Sequence, residues 1–184
     1  MTNDEYIKLS EKTATTVPHF EVVSGENLIA ALNLIKTLSK TVDIAKKGLF
    51  YGKFPKSPIQ QEMWAAGETS HSLKEKHILG MIHGVLGLIT ESAEIAEALL
   101  LKIEQNKDFD MVNIVEELGD LEWYMAMLYR TVGGTPEQAK TANIAKLKAR
   151  YGDKFSEEAA ITRNTKEEYK IMTNSLVQRA QKGL

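Results

Sequence analysis

The chain has 184 residues, with 23 Lys and Arg against 25 Asp and Glu, four His and no Cys, for a formal net charge of −2. Without Cys, disulfide scaffolds, Cys-ligated zinc and thiol nucleophiles are excluded, and the near-balanced charge argues against a protein that wraps nucleic acid or lies on an anionic membrane. A chain of this length buries roughly 70% of the surface its unfolded form exposes, so a single domain over residues 1–184 is expected to need no covalent or zinc staple. Met1-Thr2-Asn3-Asp4-Glu5-Tyr6 has neither a basic nor an apolar leader region, so a secretory signal is not expected. The longest apolar run, Ile78 to Ile89, is broken by His83 and three glycines, well short of the roughly 20 residues a membrane span needs. A cytoplasmic protein with no membrane segment is the expectation.

Glycine and proline divide the chain into long segments with helical rather than alternating apolar periodicity. A short helix is expected over Asp4 to Thr15, before Pro18. A second starts after Ser24, a plausible N-cap, and runs through Leu28, Leu32, Ile35, Leu38 and Val42 to about Lys47. Gly48 to Pro55 reads as an ordered loop, and residues 53–71 as irregular, with one short helix around Gln60 to Ala65. Long helices follow over about Ser72 to Glu104 and Phe109 to Val132. Gly133-Gly134-Thr135-Pro136 then stops one helix and starts another, with Thr135 as N-cap and Pro136 in the first turn. That fifth helix runs to about Tyr151, and a polar one over Lys166 to Lys182 closes the chain. Nothing reads as a strand, so the fold class is all-α, a bundle with a core of four to five helices.

The third long segment is apolar nearly all round, which suits the middle of a bundle. It nevertheless carries Glu91 and Glu94, three apart and therefore neighbours on one helix surface. At about 100° per residue, Glu91 shares its arc with Gly80, Gly84, Gly87, Ile95 and Ala98. Small residues there are expected to leave room for something other than side chains. The next helix repeats the spacing with Glu117 and Asp120, and places Glu117 among Ile114, Leu121, Tyr124 and Leu128 while Glu116 and Glu122 point elsewhere. Buried unpaired carboxylates are costly, and two facing pairs would repel without a cation between them. An all-oxygen ligand set without Cys or His favours Mg²⁺, with Mn²⁺ as a substitute, over zinc. A di-iron bundle would want Glu-x-x-His on two helices, and only Glu68 with His71 has that spacing.

Glu91-Ser92-Ala93-Glu94, 22 residues, then Glu117-Leu118-Gly119-Asp120 resembles the E-x-x-E…E-x-x-D signature of the all-α nucleoside triphosphate pyrophosphohydrolases, the MazG-like group. His83 to Leu88, Glu116 to Tyr124 and Asn143 to Tyr151 resemble that family's successive blocks in the same order, and Lys46 to Lys53 is similar to a segment of phage and bacterial members. The likeness covers about residues 28–156, leaving the first short helix and the last polar one as extensions. Two departures stand out: Thr90 where many members have a further acid, and Ala93 where many have Gly.

The resemblance implies that Glu91, Glu94, Glu117 and Asp120 are both the Mg²⁺ ligands and the catalytic acids, with Glu94 or another of them helping to deprotonate the nucleophile. It implies cleavage of a ribo- or deoxyribonucleoside triphosphate between the α- and β-phosphates, giving the monophosphate and pyrophosphate, in nucleotide-pool control or house-cleaning. Asn143, Lys146 and Arg150 share one face of the fifth helix at i, i+3, i+7; alone this could be a solvated basic face, and with the resemblance it becomes a phosphate- and base-binding row, with Lys53 as a further substrate contact. Tyr51 and Trp123 are candidates to stack on a base, whereas His77 and His83 read as structural. The resemblance also implies a homo-oligomer, dimer or tetramer, and the near-balanced charge leaves no nucleic acid partner expected. The alternatives are a catalytically silent helical module that binds a nucleotide or a partner protein, and a hydrolase acting on an alarmone or a phosphoribosyl-nucleotide.

Overall fold

Capping chemistry sets most helix boundaries. The computed structural model describes residues 1–15, 19–53 and 75–180, with residues 175–180 as backbone alone, and all regular structure among them is helical. Among the described residues seven helices follow in chain order: α1 (Asn3–Glu11), α2 (Gly25–Tyr51), α3 (Lys76–Gln105), α4 (Met111–Val132), α5 (Pro136–Tyr151), α6 (Glu157–Ile161) and α7 (Thr165–Ala180). The all-α expectation is borne out. Ser24 caps α2 by accepting from the Asn27 amide, and Thr135 with Gln138 forms a capping box ahead of Pro136 on α5. Asp110 accepts from the Val112 and Asn113 amides, which starts α4 two residues after the expected Phe109.

Two boundaries correct the sequence reading. Gly48 to Tyr51 is a further helical turn rather than a loop, because the stop signal is Gly52, left-handed at φ 64°, whose amide with that of Lys53 closes on the Lys47 carbonyl. The five-residue α6, capped by Ser156, was not anticipated. The expected irregular stretch with a helix at Gln60 to Ala65, the Glu68 and His71 pair, and the expected start at Ser72 lie outside the described residues.

Contacts divide the chain into two units, Phe20–Gly133 with α2, α3 and α4, and Met1–His19 together with Gly134–Leu184, with α1, α5, α6 and α7. In the first, α3 packs against both α2 and α4. Its glycine stripe is filled by α4: a Cβ at Gly80 would lie 2.6 Å from Thr131, one at Gly84 2.5 Å from Leu128, and one at Gly87 would run into the Tyr124 ring. The room expected there for a ligand is taken by a neighbouring helix, whose close approach needs those glycines.

The other side of α3 meets a polar row of α2. Asn33 donates to Glu104, Lys36 pairs with Glu97 at 2.7 Å, and Lys46 pairs with Glu91 at 2.9 Å. As the α2 numbers rise those on α3 fall, so the two helices run antiparallel. Matching these charges turns the apolar residues Leu34, Ile35, Leu38 and Leu49 outward, where they are exposed. Val85, Ile89, Leu99 and Ile103 of α3 and Met111, Val112, Val115 and Leu118 of α4 are exposed as well. The other unit centres on α5, which packs against α1, α6 and α7.

Candidate metal centre

Glu91 and Glu117 face each other across the α3–α4 contact because each sits one to two turns from a glycine and aromatic meeting point, Gly87 against Tyr124. Carboxylate oxygens of Glu91, Glu117 and Asp120 lie within 4.8 Å of one another. Glu91 and Glu117 are buried and Asp120 is exposed. Glu94 is exposed and adjoins Glu117 by charge and hydrogen bonding. Three of the four predicted acids therefore converge, and Glu94 adjoins them through Glu117.

Its electrostatics are strained in one direction. Burial, then the neighbouring carboxyls of Glu94 and Glu91, push Glu117 up to about 7, even though the Asn113 amide donates to its Oε1 at 2.7 Å and pulls the other way. Lys46 is the positive charge at the cluster. Burial lowers its pKa, but the hydrogen bond and charge of Glu91, with Tyr124, more than restore it, leaving the ammonium above the usual lysine value. One cation thus faces several carboxyls. Oxygen-only donors, two of them buried with their repulsion incompletely screened, fit a hard dication such as Mg²⁺ or Mn²⁺.

Beside the cluster, between α2, α3 and the start of α4, is an open cavity of about 520 Å³ whose walls include Lys40, Asp43, Thr90, Glu94, Lys107 and Asn113. That volume falls in the range of small-molecule sites. On the far side of Lys46, His83 stacks on Phe50 at 3.9 Å and meets Trp123 and Tyr124 edge-on. Burial and the charge of Lys46 lower the His83 pKa, which keeps the ring neutral.

The remaining predicted residues are disposed differently. Lys53 is exposed at the end of α2 and shows no side-chain bond among the described residues. Asn143, Lys146 and Arg150 belong to the other unit. Asn143 donates to the Tyr6 hydroxyl at 3.1 Å, and Arg150 makes a two-pronged bond to Glu168, Nε to Oε1 at 2.7 Å and Nη2 to Oε2 at 2.6 Å. Of the expected phosphate-binding row, only Lys146 shows no hydrogen bond or ion pair among the described residues. The face is mostly occupied by its own unit, since a bidentate carboxylate satisfies the guanidinium better than water does.

Lys46, Thr90, Asn113 and Tyr124 are the polar neighbours that the acid signature does not name. A signal for two of them exists. Lys46 continues the row of Val42 by one turn, where an apolar residue is expected, and Asn113 lies one turn before Glu117. No family profile, curated protein or solved structure matches this chain.

Proposed function

We propose that this protein is a dication-dependent nucleoside triphosphate pyrophosphohydrolase. The observation that carries the reading is the convergence of Glu91, Glu117 and Asp120 within 4.8 Å from two helices, with two of the three buried. Glu91, Glu117 and Asp120, joined by Glu94, would hold Mg²⁺ or Mn²⁺. Bound there, the ion would neutralise charge on the phosphate oxygens and acidify the attacking water. The reaction is in-line displacement at the α-phosphorus: a water oxygen forms the new bond, the bond to the bridging oxygen of the β-phosphate breaks, and pyrophosphate leaves. The proton of that water goes to a carboxylate, for which exposed Glu94 on the cavity wall is well placed. Lys40 and Lys107 on the same walls offer positive charge to the triphosphate.

The proposal includes a homo-oligomer in a cytosolic setting. Exposed apolar side chains on α4, with Val112 at 79% and Val115 at 63%, would be covered by a second copy. No described helix is long and apolar enough to cross a membrane. Light scattering that finds only monomer in the active fraction would overturn the oligomer.

Incubation with a panel of ribo- and deoxyribonucleoside triphosphates and Mg²⁺, with the products resolved, tests the activity. Monophosphate and pyrophosphate are expected, whereas diphosphate and orthophosphate would refute cleavage at the α-phosphate. The same exposed apolar rows favour a second reading, a silent helical module that docks a nucleotide or a partner protein. Calorimetric binding of a nucleotide without product over long incubation would select it.

A further inference from the structure

Lys46 stands at the acidic centre without a part in the chemistry just described. Its side chain is only 6% exposed, and a buried lysine is held only where its three donors find acceptors. The ammonium donates to Thr90 Oγ1 at 2.7 Å, to Glu91 Oε1 at 2.9 Å and to the Tyr124 hydroxyl at 3.4 Å. These partners come from α3 and α4, so Lys46 ties all three helices of its unit together at the level of the acids. Among the described residues no other cation pairs with Glu91, Glu94, Glu117 or Asp120.

The hydrogen bonding of Glu91 is one-sided. Its Oε1 takes the bond from Lys46 and has the Thr90 hydroxyl at 2.8 Å, with the Gly87 carbonyl as that hydroxyl's other partner at 2.9 Å. No described group donates to Oε2. A carboxylate gripped by one oxygen has its rotamer set and its second oxygen available.

We propose that Lys46 is the positioning residue of the centre: it holds Glu91 by Oε1, so that Oε2 is presented to the cation site, and it is the resident counter-charge that allows Glu91 and Glu117 to be buried together. This rests on the dication reading of the acids. It has a consequence that a purely structural salt bridge lacks. Removing the ammonium takes a repulsive charge away from an incoming dication while releasing the ligand it held in place. Cation binding and turnover should therefore move in opposite directions.

The test uses the full chain as wild type, as Lys46→Met, as Glu91→Gln and as Lys46→Met combined with Glu91→Gln. Thermal melting by circular dichroism in chelator and in millimolar Mg²⁺ reads binding through the stabilisation that the bound ion confers. Lys46→Met should melt below wild type in chelator and gain more than wild type from Mg²⁺, in line with roughly tenfold tighter binding. At saturating Mg²⁺ and substrate its kcat should fall roughly 10- to 100-fold. Equal Mg²⁺ shifts for wild type and Lys46→Met, or binding and turnover that fall together, would overturn the assignment. If Mg²⁺ shifts neither protein, the dication reading fails and the proposal goes with it. Should Lys46→Met not fold in either condition, the double variant, in which the buried pair is neutral, decides. A kcat equal to that of Glu91→Gln alone supports Lys46 acting through Glu91, and a further fall of roughly tenfold or more rejects it.

Discussion

Glu117 and Glu168 are buried to nearly the same degree, 4% and 5% exposed, yet their surroundings drive them in opposite directions. On α7, the Arg150 and Arg163 guanidinium groups hold the Glu168 carboxyl down to about 2, which is the behaviour of a satisfied ion pair. On α4, Glu117 is pushed up to about 7 by burial and by the carboxyls of Glu94 and Glu91. The first site has two cations for one acid, and the second has one lysine for a cluster of acids. Burial alone therefore does not mark a functional carboxylate; an uncompensated one does.

The largest expected effect is that of Glu117→Gln. Turnover should fall by more than roughly 100-fold, beyond the usual cost of an outer-shell change, while the melting temperature in chelator stays level or rises because a crowded charge is gone. Pyrophosphate release and circular dichroism read the two halves, and an undiminished rate would remove Glu117 from the centre. Glu168→Gln should do the reverse. Leaving Arg150 without its partner should destabilise the chain by roughly 2 kcal/mol in urea unfolding, with faster hydrogen exchange along α5 and α7. A stability equal to wild type would show that the node contributes nothing net.

Acid and base titrations sharpen the same contrast. A carboxyl with a folded pKa near 7 keeps a proton that the unfolded chain gives up at about 4.3, so the Glu117 cluster should cost stability as pH rises from about 4 to 7 in chelator. Mg²⁺ should flatten that slope by favouring the ionised form. Glu168, with its pKa lowered to about 2, contributes stability that is complete above the usual carboxylate value and lost as pH falls through about 4 towards 2. Melting temperatures across pH 2 to 8 check both slopes, and slopes of the same sign would break the comparison. The smallest effect belongs to Arg163→Ala. That guanidinium is about half exposed and makes one bond to Glu168 at 2.9 Å, so its loss should cost about 0.5 kcal/mol by the same unfolding measurement.

Helix existence was the most legible property of this chain, since 3.6-residue periodicity and capping residues are local. Thr135 and Pro136 announce α5 in two residues and form the expected cap, which the Gln138 side chain completes. The acidic pairs were legible for a related reason: i, i+3 spacing on an apolar arc is also a local statement, and Glu91, Glu117 and Asp120 do converge. The glycine stripe of α3 was visible but misread, because an absent side chain can serve a ligand or a neighbouring helix equally well. Only the position of Tyr124 and Leu128 chooses between them. For the basic row on α5 the sequence lacks a distant fact, that Glu168 reaches back across 18 residues to Arg150.

Composition and spacing by themselves determined an all-α chain without Cys, with two acidic pairs on apolar helix faces. Tertiary structure decided which charges are compensated. The 25 acids and 23 bases of the sequence nearly balance, but a balance over the whole chain says nothing about any one buried group, since the energy of an ion pair depends on separations of a few ångströms and on what shields them. Packing gave Glu168 two arginines, and gave the acid cluster a single lysine, Lys46, which pairs with Glu91.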